Sequence, residues 1–144
     1  EDSSFNVVIS NGVINLCPNK SKVFMEISRV LEPGGRLAIA DIVSEKSLPD
    51  NVVCDATLWA SCIGGASQED EYSIAIKNSG LNIVAVMTNE SYSFISPSAQ
   101  SASKKYGVKS VSLLAEKMVV ADAHLFVPGL ACANLTPAIK KKEL

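Results

Sequence analysis

The sequence predicts an α/β fold in which a sheet of about four strands is flanked by helices. Three observations predict it: a branched apolar run over residues 5–9, a helical apolar pattern over residues 21–31 and a second apolar run over residues 36–43. A strand, a helix and a second strand in this order form a right-handed crossover unit with parallel strands. We therefore expect the first two strands to be neighbours or near neighbours in one sheet.

The first predicted strand, over residues 5–9, carries Val7, Val8 and Ile9 in succession. An unbroken run of branched residues is typical of a strand that is buried on both faces of a parallel sheet. A Ser-Asn-Gly turn follows the run and ends the strand.

The helix over residues 21–31 is indicated by apolar residues at helical spacing. Asn19 or Ser21 is available as its N-cap. Pro33 and the two glycines after it end the helix, since proline cannot continue a helix and glycine adopts left-handed angles at little cost. The second strand then begins.

Turn and capping signals divide the rest of the chain. Gly80 and Gly107 are predicted helix ends, and Ser96 followed by Pro97 is a predicted helix start. The predicted elements are helical segments over residues 50–66 and 69–79, a strand over residues 81–87, a short helix up to residue 106 and a last strand over residues 108–118.

Composition and charge limit the class of protein. A chain of 144 residues, 47% apolar and 19% charged, is in the range of one globular domain. A net charge of −2 provides no basic field, so we expect no nucleic-acid partner. No apolar run approaches about 18 residues and the start does not resemble a signal peptide, so we expect no membrane association and a cytoplasmic location. Because the first residue is Glu rather than Met, a trimmed or processed chain is a further expectation.

Four stretches of the sequence carry a resemblance to a known family. They are Ser-Asn-Gly-Val-Ile-Asn-Leu at residues 10–16, Leu-Glu-Pro-Gly-Gly-Arg-Leu at 31–37, Trp-Ala-Ser-Cys-Ile-Gly-Gly-Ala at 59–66, and the segment 101–117. In this order they resemble the second half of class I S-adenosylmethionine-dependent methyltransferases, and the arsenite methyltransferases in particular. The resemblance implies a partial Rossmann-like methyltransferase sheet, parallel apart from an antiparallel C-terminal strand. Residues 1–118 then form the C-terminal half of such a domain, and residues 119–144 form a tail that is atypical of the family.

The resemblance also implies roles for individual residues. Asn11 and Gly12 would lie beside the cofactor S-adenosylmethionine, and Cys62 matches a cysteine that binds arsenic in the family. Gly12 stands where the family usually has another arsenic-binding cysteine, and glycine has no side chain to replace a thiolate. The chain also contains no Gly-x-Gly pattern for the methionine end of the cofactor. The resemblance therefore implies a methyltransferase-like chain with an incomplete cofactor site of its own.

The four cysteines leave alternatives open. No Cys-x-x-Cys pair is present, so neither a zinc ribbon nor a thioredoxin-type redox site is expected, and we assign no metal ligands. Cys54 and Cys62, if they lie on one helix, are about 12 Å apart along its axis and cannot share an ion. Cys17 could approach Cys62 as a second substrate-binding thiol if its loop folds over the carboxyl end of the sheet. Alternatively, Cys17, Cys54 and Cys132 are small apolar packing residues, and core packing is also open for Cys62.

Three other residues have ordinary interpretations beside functional ones. His124, the only histidine, is expected to be a surface or packing residue, because no nucleophile is arranged near it in the sequence. Asp41 ends the second strand, where α/β sheets place ligand groups, but a polar strand end is the ordinary alternative. Trp59 is expected in the core rather than as a platform for adenine.

One edge of the predicted strand over residues 5–9 has no obvious partner. In the resembled fold this strand lies beside a strand that the present sequence does not contain, and an apolar edge favours pairing with another chain. We expect a homodimer, or a complementary N-terminal half, or a cover formed by residues 119–144, which are otherwise a loose tail. Two functional hypotheses follow: an enzyme half that handles a small thiophilic ligand, and a non-catalytic dimeric binding or scaffold module.

Overall fold

The computed structural model describes residues 1–119. The tail over residues 120–144, with His124 and Cys132, lies outside the described residues, so the predictions made for it stay predictions. The strands are β1 (Phe5–Asn11), β2 (Leu31–Ser44), β3 (Ser67–Gln68), β4 (Leu81–Thr88) and β5 (Lys109–Lys117). The helices are α1 (Lys20–Val30), α2 (Asp50–Val53), α3 (Ala56–Ala60), α4 (Glu69–Asn78) and α5 (Pro97–Tyr106), and a 3-10 turn spans Ile14–Leu16.

The long strands form one sheet in the order β1-β2-β5-β4, and the short β3 pairs with the end of β2. β1 and β2 are parallel, with Val8 opposite Leu37 and Asn11 opposite Ala40. β5 is antiparallel to both β2 and β4. This arrangement confirms the predicted α/β fold with an antiparallel C-terminal strand.

The ends of two helices follow from their capping residues. The Asn19 side chain accepts a hydrogen bond from the backbone N–H of Lys22, which confirms the first of the two predicted caps for α1. Ser96 caps α5 in the same way, and Gly107 ends α5 in the left-handed region at a φ of 64°.

The main core lies on one face of the sheet, under α1 and α4. Helix residues Phe24 and Ile76 are fully buried there, and they pack with Leu37 of β2 and Ala115 of β5. A second buried cluster surrounds Ile42, which lies on the opposite face by the alternation of the strand. The second cluster joins the carboxyl end of β2 to α5 and to the segment after α3.

The rest of that opposite face is open among the described residues. It forms an apolar groove of about 500 Å³ between β1 and β4, floored by Ala38 and Ala40. On β1 the side chains of Val7 and Ile9 are 51% and 77% exposed. The prediction that residues 5–9 are buried on both faces is therefore wrong for the described chain. Among residues 1–119, only the face with Val8 packs against the core, and β1 has a single neighbour in the sheet.

The segment over residues 50–66 is not one helix, as its apolar content predicted, but two short ones. Asp55 starts the second helix by accepting a hydrogen bond from the Leu58 N–H at 2.8 Å. Cys54 therefore ends α2, whereas Cys62 lies beyond α3. The spacing of about 12 Å along one helix axis does not apply to these cysteines. None of the helices within residues 1–119 has the length and apolar character needed to cross a membrane.

Candidate functional site

The candidate site lies where the parallel strands β1 and β2 end. Ligands of open α/β sheets bind outside the carboxyl ends of parallel strands, because the loops that follow the strands meet there. Asn11 is the last residue of β1 and is exposed, and Gly12 follows it. Asp41 lies near the carboxyl end of β2, at the same end of the sheet. The structure thus places three of the residues singled out from the sequence in one region.

Gly12 turns the chain away from the sheet. Its N–H donates to the Ala40 carbonyl at 2.9 Å, and its φ of +66° is in the left-handed region that favours glycine. A Cβ atom at this position would have no atom within 4 Å. The space beside Gly12 is therefore open, although the backbone angle disfavours any larger residue.

Cys62 lies directly beside Gly12. Its Sγ is 3.9 Å from the Gly12 carbonyl oxygen, and the side chain is half-buried. Its backbone also has a left-handed φ, of 60°, which is uncommon for a residue other than glycine. The two positions that the resemblance singled out are thus in contact, although 50 residues separate them in the sequence.

Cys17 faces the same loop. It follows the 3-10 turn, and its Sγ lies 3.7 Å from the Val13 carbonyl oxygen. The two half-buried thiols, of Cys17 and Cys62, therefore contact carbonyls of adjacent residues. Cys54 is exposed.

Asn15 connects the loop after β1 to the turn between α3 and β3 that carries Cys62, here called the Cys62 turn. Its side chain is completely buried, and its Nδ2 donates to the Cys62 carbonyl. Sequence reasoning gave Asn15 no separate role, because nothing local indicates a partner 47 residues away.

Asp41 lies under the site as a buried carboxyl that is 2% exposed. It accepts hydrogen bonds from the Tyr72 hydroxyl at 3.0 Å and from the Ile42 N–H at 2.9 Å. Burial raises the pKa of Asp41, and these donors, the Asn15 N–H and the charge of Lys20 oppose the rise. The pKa of Tyr72 is also raised, first by burial and then by the charge and hydrogen bond of Asp41.

The pKa of the Cys62 thiol is raised, mainly by burial and secondarily by the charge of Asp41. The protonated thiol is therefore the resting form at neutral pH. Lys20 lies beside Cys17. The Lys20 Nζ donates to the Cys17 carbonyl at 3.3 Å, and burial lowers the pKa of Lys20.

A cavity of about 260 Å³ lies next to Cys17, and Lys20, Glu71 and Trp59 contribute to its wall. Trp59 is half-buried there, so it is not the core residue that was expected. Within residues 1–119, no group of three or more His, Cys, Asp or Glu side chains is placed to hold a metal ion.

Comparison with known proteins gives a family match over more than half of the chain. The family model described as "Methyltransferase domain" matches residues 1–80. An arsenite methyltransferase of Halobacterium salinarum is 44% identical over 96 residues, which are 66% of this chain and 25% of that protein. The arsenite methyltransferase of Homo sapiens is 36% identical over 80 residues, 56% of this chain and 21% of that protein. The chain thus spans about a quarter of the length of these curated relatives.

Solved structures give the same picture for the fold. An arsenic(III) S-adenosylmethionine methyltransferase from Chlamydomonas reinhardtii has a TM-score of 0.62 at 28% identity, covering 83% of this chain and 39% of that one. A geranyl diphosphate methyltransferase in complex with GPP and sinefungin has a TM-score of 0.65 at 16% identity, covering 82% of this chain and 48% of that one. The second likeness concerns the fold alone.

Proposed function

This chain belongs to the methyltransferase domain family, and from that premise we propose that it forms part of an S-adenosylmethionine-dependent site of the arsenite methyltransferase kind. The observation that carries the proposal is the contact of the Cys62 Sγ with the Gly12 carbonyl at the carboxyl end of β1. A thiol at the end of a parallel strand is suited to hold a soft substrate beside a bound methyl donor.

The substrate that fits these residues is As(III), with Cys62 as one ligand and Cys17 as the second. Polarizable sulfur ligands suit soft ions, and Gly12 supplies no thiol. In the binding step, each of the two thiols replaces one As–OH bond of As(OH)3 by an As–S bond, its proton leaves with the hydroxide as water, and one As–OH bond remains. The contacts of both sulfurs with the Gly12-Val13 segment support Cys17 as the second ligand.

Residues 1–119 would supply only part of the cofactor site. Asn11 and Gly12, at the end of β1, would contact the methyl donor, but the sequence has no Gly-x-Gly loop for its methionine end. These residues do not make a complete site for S-adenosylmethionine. We propose that a complementary methyltransferase half supplies the remainder, and that methyl transfer needs both parts.

Phenylarsine oxide, which forms two As–S bonds, tests the pair of thiols by calorimetry. We expect Cys62→Ser and Cys17→Ser each to weaken its binding at least about tenfold, because one of two As–S bonds is lost. Cys54→Ser is the matched control for an exposed cysteine, and Cys132→Ser controls for the tail. Unchanged binding in Cys62→Ser, or an equal loss in Cys54→Ser, contradicts the assignment.

Calorimetry with S-adenosylmethionine tests the incomplete cofactor site. We expect no binding to this chain tighter than a Kd of about 100 µM, near −5.5 kcal/mol. Tighter binding would mean that the chain holds the cofactor by itself. Methylation of As(III) by the chain with a complementary half, and by neither part alone, is the expected activity.

A second candidate function is a non-catalytic homodimeric binding or scaffold module. Within residues 1–119, one edge of β1 has no strand partner and the apolar face beside it is open, and both observations favour this candidate. A second copy is the proposed occupant, because it brings an identical edge strand, and pairing about a two-fold axis would continue the sheet and cover Val7 and Ile9.

A further inference from the structure

Asn15 contacts the Cys62 turn in two places. Its side-chain Nδ2 donates to the Cys62 carbonyl. Its own carbonyl oxygen lies so close to Gly65 that a Cβ atom there would be 2.2 Å from it. Only glycine at position 65 lets the two segments approach in this way. The loop after β1 and the turn after α3 are thus joined at Asn15.

Cys62 needs such support because of its backbone conformation. A non-glycine residue at a φ of 60° is sterically disfavoured and persists only where its surroundings hold it. Two further features stabilise the turn. The Cys62 N–H donates to the Trp59 carbonyl at 2.9 Å, and the next residue, Ile63, is completely buried. The peptide after Cys62 is held by the bond from Asn15.

The Asn15 side chain makes this bond while its other polar atom stays unpaired. Its Oδ1 is buried and has no hydrogen-bond partner among the described residues. A buried polar atom without a partner costs free energy. Among the described residues, the Asn15 side chain therefore makes one hydrogen bond, the bond to the Cys62 carbonyl.

We propose that Asn15 is a positioning residue that keeps the Cys62 thiol at the Gly12 carbonyl. The inference rests on the proposed role of Cys62 as a thiolate ligand. With the Cys62 carbonyl held, the Sγ stays beside the open space at Gly12. Without that bond, the backbone of Cys62 relaxes toward negative φ and the Sγ leaves the Gly12 loop for solvent.

The test is the reaction rate of Cys62 with 4,4′-dithiodipyridine, a reagent that modifies thiols at acid and neutral pH. Cys17, Cys54 and Cys132 are replaced by Ser, so that only Cys62 reacts. In this background, Asn15→Asp keeps the shape of the side chain but loses its donor when the carboxyl ionises. The protonated carboxyl can still donate to the Cys62 carbonyl.

We expect Asn15→Asp to react about tenfold faster than the parent at pH 7 to 9, an effect of the size of one lost buried hydrogen bond. At a pH low enough to protonate Asp at this position, the rate should return to within about twofold of the parent, since donation is restored. This rescue by acid is a signature that a loss of core packing does not produce.

Asn89→Asp is the matched control. The Asn89 amide also makes two part-buried side-chain hydrogen bonds, donating to the Ser110 hydroxyl at 2.9 Å and accepting from Ser112 at 3.1 Å, and neither bond involves the turn that carries Cys62. We expect its reaction rate to follow the parent at every pH. An equal acceleration in Asn89→Asp overturns the proposal, as does a rate in folded Asn15→Asp that follows the parent throughout.

Asn15→Ser keeps the test decisive should Asn15→Asp unfold at neutral pH. It removes the amide without adding a charge, and it should react faster than the parent at all pH values. An unchanged rate overturns the proposal. The assay involves no arsenic, so its result is independent of whether Cys62 binds As(III).

Discussion

The two faces of the sheet differ in what covers them. One face is packed under α1 and α4, and Phe24, Leu37 and Ile76 are buried there. The other is covered only near Ile42, and the described residues leave its remainder as an apolar groove beside the exposed side chains of β1. Since apolar burial is the main favourable term in folding, the packed face accounts for stability within the chain. The open face is the part that another segment or chain can stabilise.

The largest expected effect is a loss of stability from a substitution on the packed face. Phe24→Ala removes a fully buried ring that packs edge-to-face on Tyr72, so we expect the free energy of unfolding to fall by about 3–5 kcal/mol. Ile9→Ala on the open face is the comparison, and in the monomer, at a protein concentration below the dissociation constant of the proposed dimer, it should cost less than about 1 kcal/mol, because the side chain is 77% exposed in a single chain. Urea unfolding followed by circular dichroism measures both. Equal losses would show that Ile9 is covered in solution.

The next largest expected effect is on the dissociation constant of the proposed homodimer, which would form at the open face. Val7→Lys places a charge beside the edge of β1 that has no strand partner within residues 1–119, so we expect the dissociation constant of the proposed homodimer to rise at least about tenfold. Sedimentation equilibrium measures it. Ile74→Lys is the matched control, because Ile74 is 55% exposed on α4, close to the 51% of Val7, but lies away from the edge. A monomeric parent chain would contradict the homodimer.

The smallest effect concerns the buried carboxyl on the packed face. The pKa of Asp41 is raised by burial, so its contribution to stability is fully present at low pH and is lost as the pH rises through its folded-state value. Asn at this position keeps an acceptor for Tyr72 without the charge. We therefore expect Asp41→Asn to unfold less readily than the parent at pH 7, by on the order of 1 kcal/mol.

The pH dependence is the check on this prediction. The gain in unfolding free energy of Asp41→Asn should shrink from pH 7 to an acid pH at which the carboxyl of the parent is protonated in the folded state, because burial raises the pKa of Asp41. A gain that is the same at both pH values would mean that the charge of Asp41 is not the cause.

The fold could be predicted from local patterns because each long element carries its own signal. The α1 helix has an apolar periodicity with a cap at Asn19, and α5 begins at Ser96 and ends at Gly107. The segment over residues 50–66 misled the prediction, since its apolar content is helical while Asp55 starts a new helix inside it. The cap was visible in the sequence but was outweighed by the apolar content.

The candidate site was less accessible to sequence reasoning. Gly12 and Cys62 were singled out by the resemblance, and their contact required the structure. Tyr72 and Asn15 have no local signal, because their partners, Asp41 and the Cys62 carbonyl, are 31 and 47 residues away. Contacts of this kind depend on how the loops at the end of the sheet meet, which no helix or strand period encodes.

The left-handed turn at Gly12 limits how a further thiol could be engineered beside Cys62. Gly12→Cys would bring a third sulfur into open space, but its φ of +66° is unfavourable for a side chain, at about 1 kcal/mol or more. A third sulfur at this position therefore comes with a weaker fold. A designer would first strengthen the packed face and only then introduce the cysteine.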